Sequence, residues 1–305
     1  MKSSIQQASI AHGGYAPSAT FHLELADRRT VFFKGIADED ANLFMRESIR
    51  REERFYHELS RELSDSVPTC YGSFAEDGWH VLLLEDLGPP TAPPWRDLDL
   101  RIASEDYARF HRKHLGVALP AWIDDQHWRP LSRCWRQVEE PASGEPNQPR
   151  KMVDWYHRNL ESLQRCAEAL NGATGHTTLL HFDTRSDNLR IHQGRLKLFD
   201  WNLASKGPAE IDVAAFAVSI CAEGGPAPEE FLQNYQEILP LDVEVLFAAA
   251  SAIAGYFYRV SWLPALPEMP ALRAAQRGQL LSCLDWLARG GVIDFPPRIN
   301  NHLDG

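Results

Sequence analysis

The sequence predicts an α+β chain in two parts, a small β-rich N-terminal lobe and a larger, mainly helical C-terminal lobe. Three observations predict it. The first strand-like runs, rich in β-branched and aromatic residues, fall before residue 88, and most of the chain after that point has the apolar spacing of helices. Between the two stands GPPTAPPW (88–95), which continues neither a strand nor a helix, because proline lacks the amide proton and restricts the residue before it. The lobes are therefore drawn as 1–88 and 89–305, with the stretch 181–201 in the second.

Taken in order, TFHLELADRRTVFFKGI (20–36) reads as two strands around the polar turn ADRR, with Lys34 near the end of the second. DANLFMRESIRREERFYHELS (40–60) has helical charge spacing and an apolar stripe of Leu43, Phe44, Ile49, Phe55, Tyr56 and Leu59. VPTCYGSF and GWHVLLLEDLG read as two more strands, the second ending in an acidic pair. Helices are expected over 99–116, 151–171, 207–223, 228–239, 242–263 and 271–289, with PASGEPNQPR (141–150) a polar surface loop between the first two.

Composition narrows the class. At 305 residues the chain can bury a substantial core, and 44% hydrophobic with 24% charged residues is ordinary for a soluble globular protein. A net charge of −11 argues against nucleic acid, whose binding draws on clustered Lys and Arg. The five cysteines are odd in number, widely spaced and never C-x-x-C, so neither a disulfide framework nor a zinc site is indicated. The first residues lack the apolar core of a signal peptide, and the uncharged run 245–258 is too short to span a bilayer. The expectation is a cytoplasmic protein without a membrane anchor.

The most informative stretch is HFDTRSDNLRIHQGRLKLFDW (181–201). If Gln193 and Gly194 form a two-residue turn, Asn188 lies opposite Phe199, beside Asp200. An amide oxygen and a carboxylate at one end of a hairpin suit a hard cation such as magnesium, which keeps waters and takes phosphate oxygens as further ligands. Asp183, on the same loop, is then free to accept a proton from a hydroxyl nucleophile. The plainer alternative is a polar turn closed by side-chain to backbone bonds, since Asp and Asn are frequent turn formers. His181, the apolar arms and the placement of Asp200 after LKLF favour the functional reading.

LLHFDTRSDNLRI followed by LKLFDW resembles the catalytic segment of the aminoglycoside phosphotransferase and choline kinase branch of the protein-kinase-like fold: His-x-Asp, four residues, Asn, then a metal-binding Asp. The likeness extends over most of the chain. Lys34, the Glu-x-x-Phe-Tyr helix at Glu52 to Tyr56 and the LLLEDLG hinge at Leu82 to Gly88 occur in the family's order.

The resemblance implies a two-lobe kinase-like fold and ATP-dependent transfer of the γ-phosphoryl group to a small-molecule hydroxyl. Asp183 would orient or deprotonate that hydroxyl, with Arg185 adding positive charge nearby. Asn188 and Asp200 would hold Mg2+, while Lys34 would neutralise the phosphates and Glu52 would position it. Glu47, Glu53 and Glu58 are rivals to Glu52 on the same helix. The base would bond to main-chain groups around Glu85, Asp86 and Leu87, and the loop AHGGYAPSAT, with Gly13 and Gly14, would cover the phosphates. His181 and Asp212 would brace the catalytic loop.

The sequence departs from protein kinases in several places. There is no full G-x-G-x-x-G, DW replaces Asp-Phe-Gly and no Ala-Pro-Glu segment comes after it, while Phe182 departs from the resembled family itself, which more often has Gly there. The missing Ala-Pro-Glu segment favours a small-molecule acceptor over a protein one. From Trp201 onward there are twelve acidic side chains and six basic ones, which leans towards a cationic acceptor such as an aminoglycoside, an amino alcohol or choline; Tyr256, Phe257, Tyr258 and Trp262 could wall a pocket for one, although aromatics at helical spacing are more often core. GTP in place of ATP, and the oligomeric state, stay open. A nucleotide-binding pseudokinase acting as a regulatory module, and a protein kinase, are the competing readings.

Overall fold

A computed structural model of the chain describes residues 3–11, 18–37, 39, 42–138, 148–173, 177–267 and 269–298. Gly13, Gly14 and most of the polar loop at 141–150 lie outside the described residues. Two compact units emerge, one of residues 1–92 with 186–204, the other of 93–185 with 205–305.

The first unit is built on an antiparallel five-stranded sheet, order β1-β2-β3-β5-β4, from β1 (Ile5–Ile10), β2 (Ala19–Leu25), β3 (Thr30–Ala37), β4 (Cys70–Glu76) and β5 (Trp79–Glu85). Register sets Lys34 opposite Leu82, and strand alternation puts Phe32, Lys34 and Ile36 on one face with His80, Leu82 and Leu84. The other face carries a cluster of Leu23, Leu25 and Val31 with Phe21, Phe33 and Leu83. Helix α1 (Leu43–Leu59) starts where the Asn42 side chain accepts a hydrogen bond from the Met45 amide. Ile49, Phe55, Tyr56 and Leu59 are buried along it, whereas Leu43, at its first turn, is exposed.

The hairpin of β7 (Leu189–His192) and β8 (Arg195–Leu198) has the expected register, with the Phe199 amide donating to the Asn188 carbonyl. Gln193 and Gly194 both take positive φ (52° and 74°), the geometry of the turn whose twist matches a two-residue hairpin. Its membership differs from the lobe division read from the sequence, which put it with the helical part. The Leu198 amide donates to the Ser66 carbonyl, Lys197 Nζ to the carbonyls of Ser64 and Val67, and the Trp201 ring stacks on Phe55, so the hairpin belongs to the first unit. The proline-rich stretch holds the point where the chain first passes from one unit to the other, between Ala92 and Pro93.

The second unit contains α2 (Asp97–His114), a 3-10 stretch (Arg129–Gln137), α3 (Arg150–Ala169), the strand pair β6 (Thr177–Leu180) and β9 (Ser205–Pro208), α4 (Ala209–Ala222), α5 (Pro228–Gln236), α6 (Val243–Val260) and α7 (Leu272–Arg289). Its centre is α6, which packs against α3, α4 and α7. That helix is long and apolar enough to cross a bilayer by length and composition, but 56% of it is buried inside the unit. Tyr258 on α6 stacks on Tyr156 with ring centroids 4.7 Å apart and takes a hydrogen bond from Gln148, so it is core. Trp262 is buried too, whereas Tyr256 is 40% exposed.

Candidate active site

Within the first unit, three of the sequence-derived residues meet. Lys34 Nζ donates to Glu52 Oε2 at 2.7 Å and to Asp200 Oδ1 at 2.8 Å. The three side chains are 12%, 1% and 23% exposed respectively, which makes this a half-open ionic cluster. Of the four glutamates on α1 that could have met the lysine, Glu52 does so; Glu53 turns to His80, 3.6 Å away, and Glu58 pairs with Arg54. Burial works against the Lys34 charge, but the Asp200 and Glu52 carboxylates outweigh it and hold the ammonium well above the ordinary lysine value. Burial also pushes the Glu52 carboxyl up, with Lys34 opposing.

Helix α1 and the segment after β8 are tied together by more than this pair. Phe55 and Trp201 stack with centroids 4.2 Å apart and planes 6° from parallel, and the Arg51 guanidinium donates to the carbonyls of Asn202 and Ala204. Asp200 itself takes a left-handed backbone (φ 65°), unusual for a residue with a side chain and frequent where a site holds its backbone under constraint. Asn188 is buried at the foot of β7, and the rung to Phe199 brings its backbone beside that of Asp200. Among the described residues no group of three or more His, Cys, Asp or Glu is arranged to hold a metal. One amide and one partly exposed carboxylate nevertheless fit a hard cation that completes its shell with water and phosphate oxygens.

β5 ends at Glu85, whose amide donates to the Thr69 carbonyl and whose carboxylate takes the Thr69 amide and hydroxyl. Asp86 is likewise tied locally, to His22 Nδ1 at 2.9 Å and to the Gly88 amide. The main-chain groups of Asp86 and Leu87 lie past the last rung between β3 and β5, which joins Val31 and Glu85.

The second unit holds Asp183, Arg185, His181 and Asp212. Asp212, on the first turns of α4, is fully buried. Its Oδ2 accepts from the His181 amide (2.6 Å) and the Tyr107 hydroxyl (2.5 Å), and its Oδ1 from the Phe182 amide (2.9 Å). His111 Nε2 lies 3.5 Å from Oδ2, at ion-pair distance and too far for a good hydrogen bond. Desolvation alone would raise the Asp212 pKa, but His111, Tyr107 and His181 reverse it, and the carboxyl is held below its ordinary value. Phe182 adopts φ 65°, which explains why a glycine would be at ease there. The Asp183 amide donates to His181 Nδ1 at 3.3 Å, and Arg185 Nε lies 3.3 Å from Asp183 Oδ1. Tyr256, exposed in part, belongs to the same neighbourhood: partial desolvation raises its pKa first, and the Asp183 charge adds to it.

Sequence reasoning missed Tyr107, His111, Thr184, Arg51 and the partnership of Phe55 with Trp201. A signal existed for two of them: Tyr107 and His111 sit four apart on α2, on the buried stripe with Ala103 and Phe110, where polar tips need partners.

A five-stranded antiparallel sheet bearing a lysine paired to a helical glutamate, and a His-x-Asp loop leading through an asparagine to a hairpin that ends in an aspartate, define a kinase-like phosphotransferase fold. The chain belongs to the phosphotransferase enzyme family, whose profile matches residues 10–247, and it is a small-molecule kinase. It is similar to a thermostable mutant of the aminoglycoside phosphotransferase APH(4)-Ia (15% identity, 94% of this chain and 96% of that one, TM-score 0.62). It is also similar to the choline kinase LicA from Streptococcus pneumoniae (16%, 90% and 93%, 0.57) and to the amicoumacin kinase hAmiN in complex with AMP-PNP, Ca2+ and Ami (13%, 97% and 91%, 0.56). No curated protein sequence matches the chain.

Proposed function

We propose that the enzyme transfers the γ-phosphoryl group of ATP to a hydroxyl of a small metabolite or antibiotic, with Asp183 as the base and Lys34 as the phosphate-binding cation. The observation that carries this reading is Lys34 held between two carboxylates of unequal burial, 2.7 Å from Glu52 and 2.8 Å from Asp200. Glu52, almost wholly buried, keeps the ammonium in place. Asp200, partly exposed, is the partner that gives way when phosphate oxygens arrive.

In the proposed reaction the acceptor oxygen forms a bond to the γ-phosphorus, the bond from that phosphorus to the β,γ-bridging oxygen breaks, and Asp183 takes the hydroxyl proton. Arg185, beside Asp183, supplies positive charge where negative charge spreads over the transferring group. Asn188 and Asp200 would hold a divalent cation, Mg2+ in this reading, which neutralises phosphate charge when bound; the Ca2+ and AMP-PNP of the amicoumacin kinase complex support a nucleotide and cation of this kind. With the Glu85 amide committed to Thr69, the base edge falls to the main-chain groups of Asp86 and Leu87. A broad choice of acceptor is suggested by the neighbours, which include an aminoglycoside and a choline kinase. The cytoplasm, where ATP is plentiful, is the proposed location.

The test is a coupled ADP-release screen over aminoglycosides, amino alcohols, sugars and homoserine, with ATP and GTP, beside Asp183→Asn. The expected result is acceptor-dependent ADP release that falls by about 10²–10⁴ in the variant while nucleotide still binds. Magnesium-dependent ATP binding with no acceptor-dependent turnover would favour a pseudokinase, and phosphate appearing on proteins a protein kinase.

A further inference from the structure

The loop that carries Asp183 is pinned by a side chain that neither the reaction nor the family resemblance calls for. Tyr107, in the middle of α2, is wholly buried and its hydroxyl bridges two groups, donating to Asp212 Oδ2 at 2.5 Å and lying 2.9 Å from Thr184 Oγ1. The directions of these bonds come from proton counting. A carboxylate only accepts, so the single Tyr107 proton goes to Asp212, and Thr184 must supply the proton shared with Tyr107. The result is a directed chain, Thr184 to Tyr107 to Asp212.

This chain completes the enclosure of Asp183. On its N-terminal side the amides of His181 and Phe182 are held by Asp212, and its own amide is directed to His181 Nδ1. On its C-terminal side the next residue, Thr184, is tied through Tyr107 to the same Asp212. Tyr107 is itself fixed. Its ring lies 4.2 Å from the His111 ring one turn along α2 and 5.7 Å from Phe216 on α4, and His111 Nδ1 meets the Tyr235 hydroxyl of α5 at 2.7 Å. All of these groups lie in the second unit, so the device stands on contacts within one compact body.

We propose that Tyr107 and Thr184 are positioning residues for the transfer reaction, holding both sides of Asp183 to the buried Asp212 so that its carboxylate is set for the acceptor hydroxyl. This rests on the reading of Asp183 as the base. A left-handed Phe182 would otherwise relax, since such a conformation persists for a bulky residue only where its surroundings over-determine it.

Three variants test the proposal: Tyr107→Phe keeps the ring and removes the bridging oxygen, Thr184→Val keeps the shape and removes the donor, and Thr184→Ser keeps the donor. Two readouts are taken, hydrogen exchange of the peptide spanning residues 179–185 and turnover with the best acceptor. Y107F and T184V are each expected to speed loop exchange about tenfold, the factor one ordinary hydrogen bond is worth, and to lower kcat about as much, with KM for the nucleotide unchanged. T184S is expected to keep both near wild type, and the double variant to be little worse than either single one. Wild-type exchange and kcat in Y107F, or T184S as impaired as T184V, would overturn the proposal; so would a lower Tm with neither readout changed. If Y107F does not fold, the Thr184 pair decides alone. Should the wild type phosphorylate nothing in the panel, the reading of the reaction falls, while the exchange measurements still decide whether Tyr107 holds the loop.

Discussion

Asp200 in the first unit and Asp212 in the second are both carboxylates tied to the proposed chemistry, yet their surroundings are opposite in kind. Asp200 is partly exposed, sits on a left-handed backbone and meets the Lys34 ammonium through Oδ1. Asp212 is fully buried and takes two main-chain amides and a tyrosine hydroxyl. A charge that meets another charge near solvent is weakly committed, because water and phosphate compete for it. A buried charge enclosed by fixed donors is committed, because removing any donor leaves desolvation uncompensated. The first is suited to exchange partners, the second to hold a loop still.

The sharpest way to break that contrast is Asp212→Asn, which places an amide NH2 among groups that are themselves donors. It is expected to cost about 3 kcal/mol, within the range for breaking buried charged networks, read as a lower urea midpoint with unchanged slope. Lys34→Met should invert the pattern. It is expected to weaken nucleotide binding tenfold or more by calorimetry while stability falls by no more than about 1.5 kcal/mol, since Glu52 can take up a proton once its partner has gone. A stability loss in K34M as large as that in D212N would erase the distinction drawn between the two sites.

The pH dependence separates them further. Asp212 is held below its ordinary pKa, so its stabilisation is fully present above the unfolded carboxylate value of about 4 and is lost as pH falls through the lower folded value. The wild type should therefore lose stability on the acid side more steeply than D212N does, which thermal melts between about pH 2 and 5 would show. The smallest effect is expected at the ring pair beside Asp200. Trp201→Phe keeps an aromatic partner for Phe55 but gives up the indole N–H bond to the Leu198 carbonyl, so it is expected to cost about 1 kcal/mol, the worth of one ordinary hydrogen bond, with a modest rise in KM for ATP.

Much of this was legible in the linear order. The turn at Gln193 and Gly194 announced the hairpin register because a two-residue turn takes positive φ at both central positions, the second of which glycine adopts without strain. Helices α1 to α7 were legible from apolar spacing. Two short elements were not: β6 and β9 are four residues each, and SKGP has no strand propensity, so its pairing with TTLL rests on tertiary contact alone. Nor was β1 read as a strand, an exposed edge with no buried face to impose alternation.

The site divides along the same line. The sequence by itself determined which chemical groups the chain possesses and their local spacing: a lysine near a strand end, a helix of glutamates, and Asp183, Asn188 and Asp200 around one turn, all set by short-range geometry. Only the tertiary structure decided that Glu52 and not Glu53 faces Lys34, that the hairpin joins the first unit, and that Tyr107 reaches Asp212 from 105 residues away. Adjacent helical residues point about 100° apart, and which of those directions is buried depends on what packs against the helix, a property no single segment contains.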